Sequence, residues 1–173
     1  MSQSTVLYNQ LANHKLFNKS INFDLNRIKL ALMKLGHPER KLSNVFQIIG
    51  SDGKFSLLRS LRFFIEENNQ TVSTHVSPSL TTIRERFWMG NDYLSYRKIK
   101  TTIKMIEKLK IPLTVYEVLT LVFIINASQR KNDYCIMEAG ALWRLDSNNV
   151  IDFPLKQIIV NINKQHLNFL KKK

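Results

Sequence analysis

The segment Gly50-Ser51-Asp52-Gly53-Lys54-Phe55-Ser56 carries the residue types that hold a phosphate. Phosphate binding needs backbone N–H groups aimed at oxygens, glycines that allow close approach, and a helix N-terminus behind them. Lys54 adds a point charge, and a hydroxyl can reach a magnesium ion. Gly50, Ser51, Gly53, Lys54 and Ser56 are therefore the candidate nucleotide-binding residues. The string departs from a standard Walker A motif, because its glycine spacing is shorter and Phe55 separates Lys54 from Ser56. A strand-to-helix turn that uses glycine for conformation and exposes a lysine would read the same way. Spacing alone favours phosphate only slightly.

Three further positions could serve a triphosphate and its metal. Glu138 ends an apolar run, and a carboxylate at the carboxyl end of a strand is well placed for magnesium. Ser77-Pro78 follows the run 71–76, and His166 follows the run 157–162. Each has an ordinary alternative: a capping or solvated glutamate, a plain turn, a structural or exposed histidine. Together they put a hydroxyl, a carboxylate and an imidazole at the ends of three strands, beside the phosphate turn.

The elements that must position these groups follow from periodicity. Residues 24–35 read as an amphipathic helix, with Leu25, Ile28, Leu32 and Leu35 at helical spacing and Gly36 and Pro38 as its stop. Val45, Phe46, Ile48 and Ile49 form a short apolar run bounded by Gly50, the pattern of a central parallel strand. A helix over 54–67 follows, with Leu57, Leu58, Leu61, Phe64 and Ile65 expected inward, and then a β-branched strand over 71–76. Residues 84–95 carry Gly90-Asn91 between two strand-like pieces, which predicts a hairpin. Helices are expected over 99–109 and 113–130, and strands over 134–137 and 157–162. Alternation of this kind implies an α/β fold, a mostly parallel sheet with helices on both faces.

Bulk properties narrow the function. A chain of 173 residues that is 44% hydrophobic can bury a normal core. One cysteine, Cys135, excludes an internal disulfide framework, and with four scattered histidines it excludes a Cys/His zinc cluster. The apolar stretch 113–127 is shorter than the ~20 residues of a membrane span and is interrupted by Glu117, Thr120 and Asn126. A soluble, cytoplasmic protein with no membrane partner is expected. The net charge of +13 favours a polyanionic partner. The basic residues are spread along the chain, however, apart from Lys171-Lys172-Lys173, and no nucleic-acid recognition motif accompanies them. Nucleic acid is the weakest of the readings.

The same residues carry a resemblance. Leu35-Gly36-His37-Pro38, the Gly50–Ser56 string, Ser77-Pro78-Ser79-Leu80, Arg84-Glu85-Arg86 and Tyr116-Glu117-Val118-Leu119-Thr120 occur in this order. Glu138-Ala139-Gly140, Arg144-Leu145-Asp146-Ser147-Asn148-Asn149-Val150, Asn161-Ile162 and His166 follow. The series resembles the N-terminal part of folylpolyglutamate synthase/dihydrofolate synthase, in the Mur ligase superfamily. The resemblance implies a P-loop-type sheet, ATP and Mg2+ as cofactors, and ligation of L-glutamate to a folate or pteroate carboxylate through an acyl phosphate. It implies that Lys54 and Ser56 hold phosphates, and that Ser77, Glu138 and His166 lie around magnesium. It also implies a division into an N-terminal helical segment, 1–40, and an ATP-binding α/β domain, 41–173, without the later ligase domain.

Several motif positions depart from the family string. Phe55, Leu142 and Trp143 stand at glycine positions, Asp52 at an asparagine, Ser79 at a histidine and Gln165 at an aspartate. A carboxylate at Asp52 would repel a triphosphate by roughly 3 kcal/mol per unit charge at about 5–6 Å with an effective dielectric near 20. The leading expectation is thus a truncated or diverged ligase, completed by a separately encoded remainder. The alternative is a non-catalytic nucleotide-binding or interaction module.

Overall fold

The structure, a computed structural model, describes residues 2–17, 24–140 and 143–163. Its centre is a strand that hydrophobicity alone would place there. Val45–Ile49 (β1) alternates few polar residues and is flanked on both sides by parallel neighbours, Tyr134–Glu138 (β4) and Lys156–Ile159 (β5). Val72–His75 (β2) pairs parallel with β4, and Phe87–Met89 (β3) pairs antiparallel with β2. The order is β3-β2-β4-β1-β5. The carboxyl ends of β1, β2 and β4 lie side by side, which brings the segments after Ile49, His75 and Glu138 to one rim.

Helices cover both faces. Lys54–Glu67 (α3) packs Leu58 against Ile48, Val72, Val76 and Ile136 on one face. Val115–Ala127 (α5) lies in the larger core on the other, with Tyr96–Glu107 (α4), Asn26–Lys34 (α2) and Gln3–Ala12 (α1). From Glu117 onward every residue of α5 is buried, so each fully enclosed Leu, Val, Ile or Phe contributes roughly 1.5–3 kcal/mol. Its start is fixed by a capping box, with the Thr114 hydroxyl accepting from Glu117 N and the Glu117 carboxylate accepting from Thr114 N. The same carboxylate pairs with Arg27 at 3.2 Å, tying α2 to α5. Leu7, Leu11, Ile28 and Leu32 thus share one core with the sheet.

The parallel sheet and flanking helices are those expected from the sequence. Five local readings need correction. Phe64 is 70% exposed rather than inward, because the buried stripe of α3 is carried by Leu58 with Leu57, Leu61 and Ile65 half-covered. The second hairpin arm is only a bridge from Trp88 to Tyr93, since Asp92 and Tyr93 turn back at once to feed α4. The strand read over 157–162 spans Lys156–Ile159, the helix read over 113–130 spans Val115–Ala127, and the helix read over 99–109 spans Tyr96–Glu107. Helix α1 falls within the segment 1–40 expected to be helical, but no periodicity marks its bounds. Its polar residues mask a two-residue apolar stripe, Leu7 and Leu11, and its Ser2 cap accepts from Thr5 N. His166, Gln165, Leu142 and Lys171–Lys173 lie outside the described residues.

Candidate functional site

The turn after β1 is built by backbone conformation first. Gly50 has φ +142° and Gly53 has φ +76°, so both occupy regions that L side chains rarely adopt. Gly53 is also the N-cap of α3, which has no side-chain cap, so the helix's first N–H groups receive none from a cap residue. Gly50 meets a second constraint: a Cβ there would lie 2.8 Å from the carbonyl oxygen of Asn161. This glycine therefore serves the close approach of the segment after β5 as well as the turn. Asn161 also braces the turn through its side chain, Oδ1 accepting from Ser51 N at 3.2 Å and Asp52 N at 2.9 Å.

Lys54 folds back over the turn, its Nζ donating to Gly50 O at 2.8 Å and Ser51 O at 2.9 Å. Ser56 sits exposed on the first turn of α3. Asp52 turns towards the segment after β5, its carboxylate accepting from Asn163 Nδ2 at 2.7 Å. Phe55 turns the other way and lines a cavity of about 360 Å³ beside the end of β2.

That cavity brings together two of the residues singled out from the sequence. Glu138, at the end of β4, is buried, and its Oε2 accepts from the backbone N–H of Ser77 at 3.2 Å. Burial pushes the Glu138 carboxyl above its ordinary value; the Ser77 N–H, Lys54 and Arg86 pull the other way without prevailing. The Ser77 hydroxyl accepts from Arg86 Nη1 at 3.1 Å, and Arg86 Nε donates to Tyr8 Oη at 2.7 Å. Helix α1 thus helps to hold Ser77 through Arg86. Glu138 is held from behind as well, because Asn148 Nδ2 donates to its carbonyl at 2.8 Å and to Tyr116 Oη at 2.9 Å.

Arg86, Asn148, Asn161 and Tyr8 were missed as supports. The first three fell inside motif strings, yet their partners are 9 to 110 residues away, a distance that no local pattern reports. His166 cannot be placed, as it lies outside the described residues. The donor set that is present fits a hard divalent cation on a nucleotide: one hydroxyl and one carboxylate, both oxygen. Among the described residues no cluster of three or more His, Cys, Asp and Glu could cage a metal. An ion here would depend on phosphate and water for its other ligands, as magnesium does.

No family model matches the chain. Its relatives are nonetheless consistent. It is 31% identical over 155 residues to a dihydrofolate synthase/folylpolyglutamate synthase of Bacillus subtilis, covering 84% of this chain and 36% of the relative. It is 32% identical over 156 residues to the protein of the same name from Buchnera aphidicola, covering 89% and 37%. Among solved structures, Escherichia coli FolC in complex with DHPP and ADP superposes with a TM-score of 0.89 at 26% identity, covering 99% of this chain and 41% of that one.

The chain is a homologue of the N-terminal part of dihydrofolate synthase/folylpolyglutamate synthase.

A bifunctional folylpolyglutamate synthase/dihydrofolate synthase of Yersinia pestis, complexed with AMPPNP and Mn ion, superposes with a TM-score of 0.80 at 25% identity, covering 92% and 38%. The chain spans a little over a third of the length of the curated synthases it matches, 36–37% for the two above. The turn after β1 carries glycines at positions 50 and 53 and phenylalanine at 55. The five-stranded, mostly parallel sheet is that of the synthases' ATP-binding region. No helix among the described residues is long and apolar enough to cross a membrane.

Proposed function

We propose that this chain supplies the Mg·ATP-binding part of a folate-type acid–amino-acid ligase. The observation that carries the reading is the contact between Ser77 N and the Glu138 carboxylate at 3.2 Å, on the rim where the phosphate loop also opens. Gly50, Ser51 and Gly53 shape the loop, Lys54 and Ser56 face the phosphates, and Ser77 and Glu138 hold the Mg2+, with His166 as a third group from beyond the described residues. ATP with magnesium would there activate a carboxylate as an acyl phosphate. Lys54 and the α3 N-terminus stabilise the charge on the transferred group, and Arg86 orients the Ser77 hydroxyl. Ligation of L-glutamate to a folate or pteroate, in the cytoplasm, is the activity proposed for the whole enzyme. The other two thirds of the synthase length, from the same chain or a separately encoded one, would supply the rest of the site.

Calorimetry with Mg·ATP tests this. Micromolar binding that disappears in Lys54→Ala is expected, and an unchanged isotherm in that variant would end the proposal. A second reading, a nucleotide-binding module without ligation, is favoured by Phe55 and Asp52 in the loop. It predicts Mg·ATP binding with no phosphate release when the remaining ligase segments and both substrates are supplied.

A further inference from the structure

The cavity between α3 and the end of β2 holds one charge that the metal pair does not use. Arg59 and Arg62 both line it. Arg62 is committed: its Nε donates to Glu66 Oε1 at 2.8 Å and its guanidinium lies 3.3 Å over the Trp88 ring. Glu85, also on the lining, is saturated by the N–H groups of Leu80, Thr81 and Thr82 and by the Thr81 hydroxyl. Arg59 differs. Its guanidinium stands 5.8 Å from the Phe55 ring centre and 5.4 Å from that of Phe63, and it makes no salt bridge among the described residues. Phe55 and Phe63 sit one turn before and one turn after it on α3, so two ring faces orient the fork without neutralising it. An oriented, unneutralised guanidinium in a cavity that also holds Ser77 and Glu138 is suited to a small oxyanion, which it can meet with two parallel N–H groups.

We propose that Arg59, held between Phe55 and Phe63, binds an oxyanion next to the Ser77–Glu138 pair. Two groups share that chemistry, the terminal phosphoryl of the nucleotide and a carboxylate of the incoming L-glutamate. The inference rests on the proposed function for the identity of the neighbours, but the charge itself needs no nucleotide. Phe55 thereby gains a use at a position where the family string has glycine: its ring positions Arg59.

The test is calorimetry on the full chain with four probes: inorganic phosphate alone, Mg·ADP, Mg·AMPPNP, and L-glutamate in the presence of Mg·ADP. Arg59→Gln is expected to weaken phosphate about tenfold or more, the effect of removing a charge-assisted hydrogen bond, while Mg·ADP stays within about twofold. A parallel loss on Mg·AMPPNP identifies the phosphoryl group, and a loss on L-glutamate identifies the carboxylate. Arg59→Lys keeps the charge without the fork and should fall between; it carries the test should the glutamine variant not fold. Equal binding of phosphate, Mg·AMPPNP and L-glutamate by wild type and variants overturns the proposal, as does no binding of any of them. If wild type ignores Mg·ADP yet binds phosphate through Arg59, the nucleotide reading fails and this one stands.

Discussion

Glu138→Gln should make the protein more stable and should abolish the proposed Mg2+ binding. Glu138 is 4% exposed as a residue, and burial raises the affinity of its carboxylate for a proton despite the Ser77 N–H, Lys54 and Arg86. Glutamine keeps an oxygen for Ser77 N and removes the charge. Losing the attraction to Lys54 and Arg86 costs something, but the net direction of the shift says that desolvation outweighs it. Relief of this kind at a functional site is worth about 1 kcal/mol, or roughly 2–4 °C in a protein of this size. The sign also fixes the pH dependence. A carboxyl whose folded-state value is raised above 4.5 favours folding below that value and loses the benefit as pH climbs through the raised one. The variant should therefore match wild type near pH 4 and exceed it at pH 7.5.

Thermal melts across that range, with and without Mg·ATP, provide the assay. Wild type should gain from Mg·ATP by mass action, and the variant should gain far less. A variant less stable than wild type at pH 7.5 would refute the reasoning, because the carboxylate would then be held by its partners more strongly than burial opposes it. An equal Mg·ATP shift in both would remove Glu138 from the metal site.

Other outcomes follow from the same structure. Gly50→Ala places a Cβ 2.8 Å from Asn161 O at φ +142° and should cost about 1–3 kcal/mol, seen as a lower urea midpoint and faster amide exchange at Ser51. Glu117→Ala leaves Arg27, 16% exposed at its side chain, without its buried partner and uncaps α5, for a loss of about 3–5 kcal/mol by chemical denaturation. His75 is fully enclosed by Phe87, Phe123 and Tyr116, and burial, with Arg86 nearby, depresses its pKa to about 3. Wild type should lose up to about 1.4 kcal/mol per pH unit as pH falls below 6.5 towards 3, while His75→Phe lacks that slope in acid denaturation curves.

Much of the frame was legible because β1 and β4 are short apolar runs with clean stops, the segment around β2 is rich in β-branched residues, and α3 repeats its apolar residues at helical spacing. The loop was legible because its glycines are punctuation as well as chemistry. What the sequence withheld was of two kinds. One is amphipathicity too thin to see: α1 offers Leu7 and Leu11 among polar residues, and only the completed core shows why it folds. The other is pairing across distance. Arg86 stands in the string Arg84-Glu85-Arg86 with no local pattern to mark its partners, yet it is buried, and its guanidinium links Tyr8 to Ser77.

The loop substitutions also change meaning once the fold is known. Asp52 and Phe55 lie inside one string proposed to bind phosphate, so both read as damage to it. Their side chains leave in opposite directions. Asp52 hydrogen-bonds Asn163, beyond β5, on the same segment whose Asn161 braces the loop N–H groups. Its charge therefore acts at the outer side of the turn, where solvent screens it more than the dielectric near 20 allows. Phe55 leaves towards the cavity and the Arg59 guanidinium. A position without a side chain cannot hold an arginine from that side. Phe55→Gly separates the two accounts. If the ring only obstructs, the variant binds Mg·ATP more tightly and phosphate equally. If the ring orients Arg59, the variant loses phosphate affinity in the same direction as Arg59→Gln, by about threefold to tenfold, while the charge remains in place.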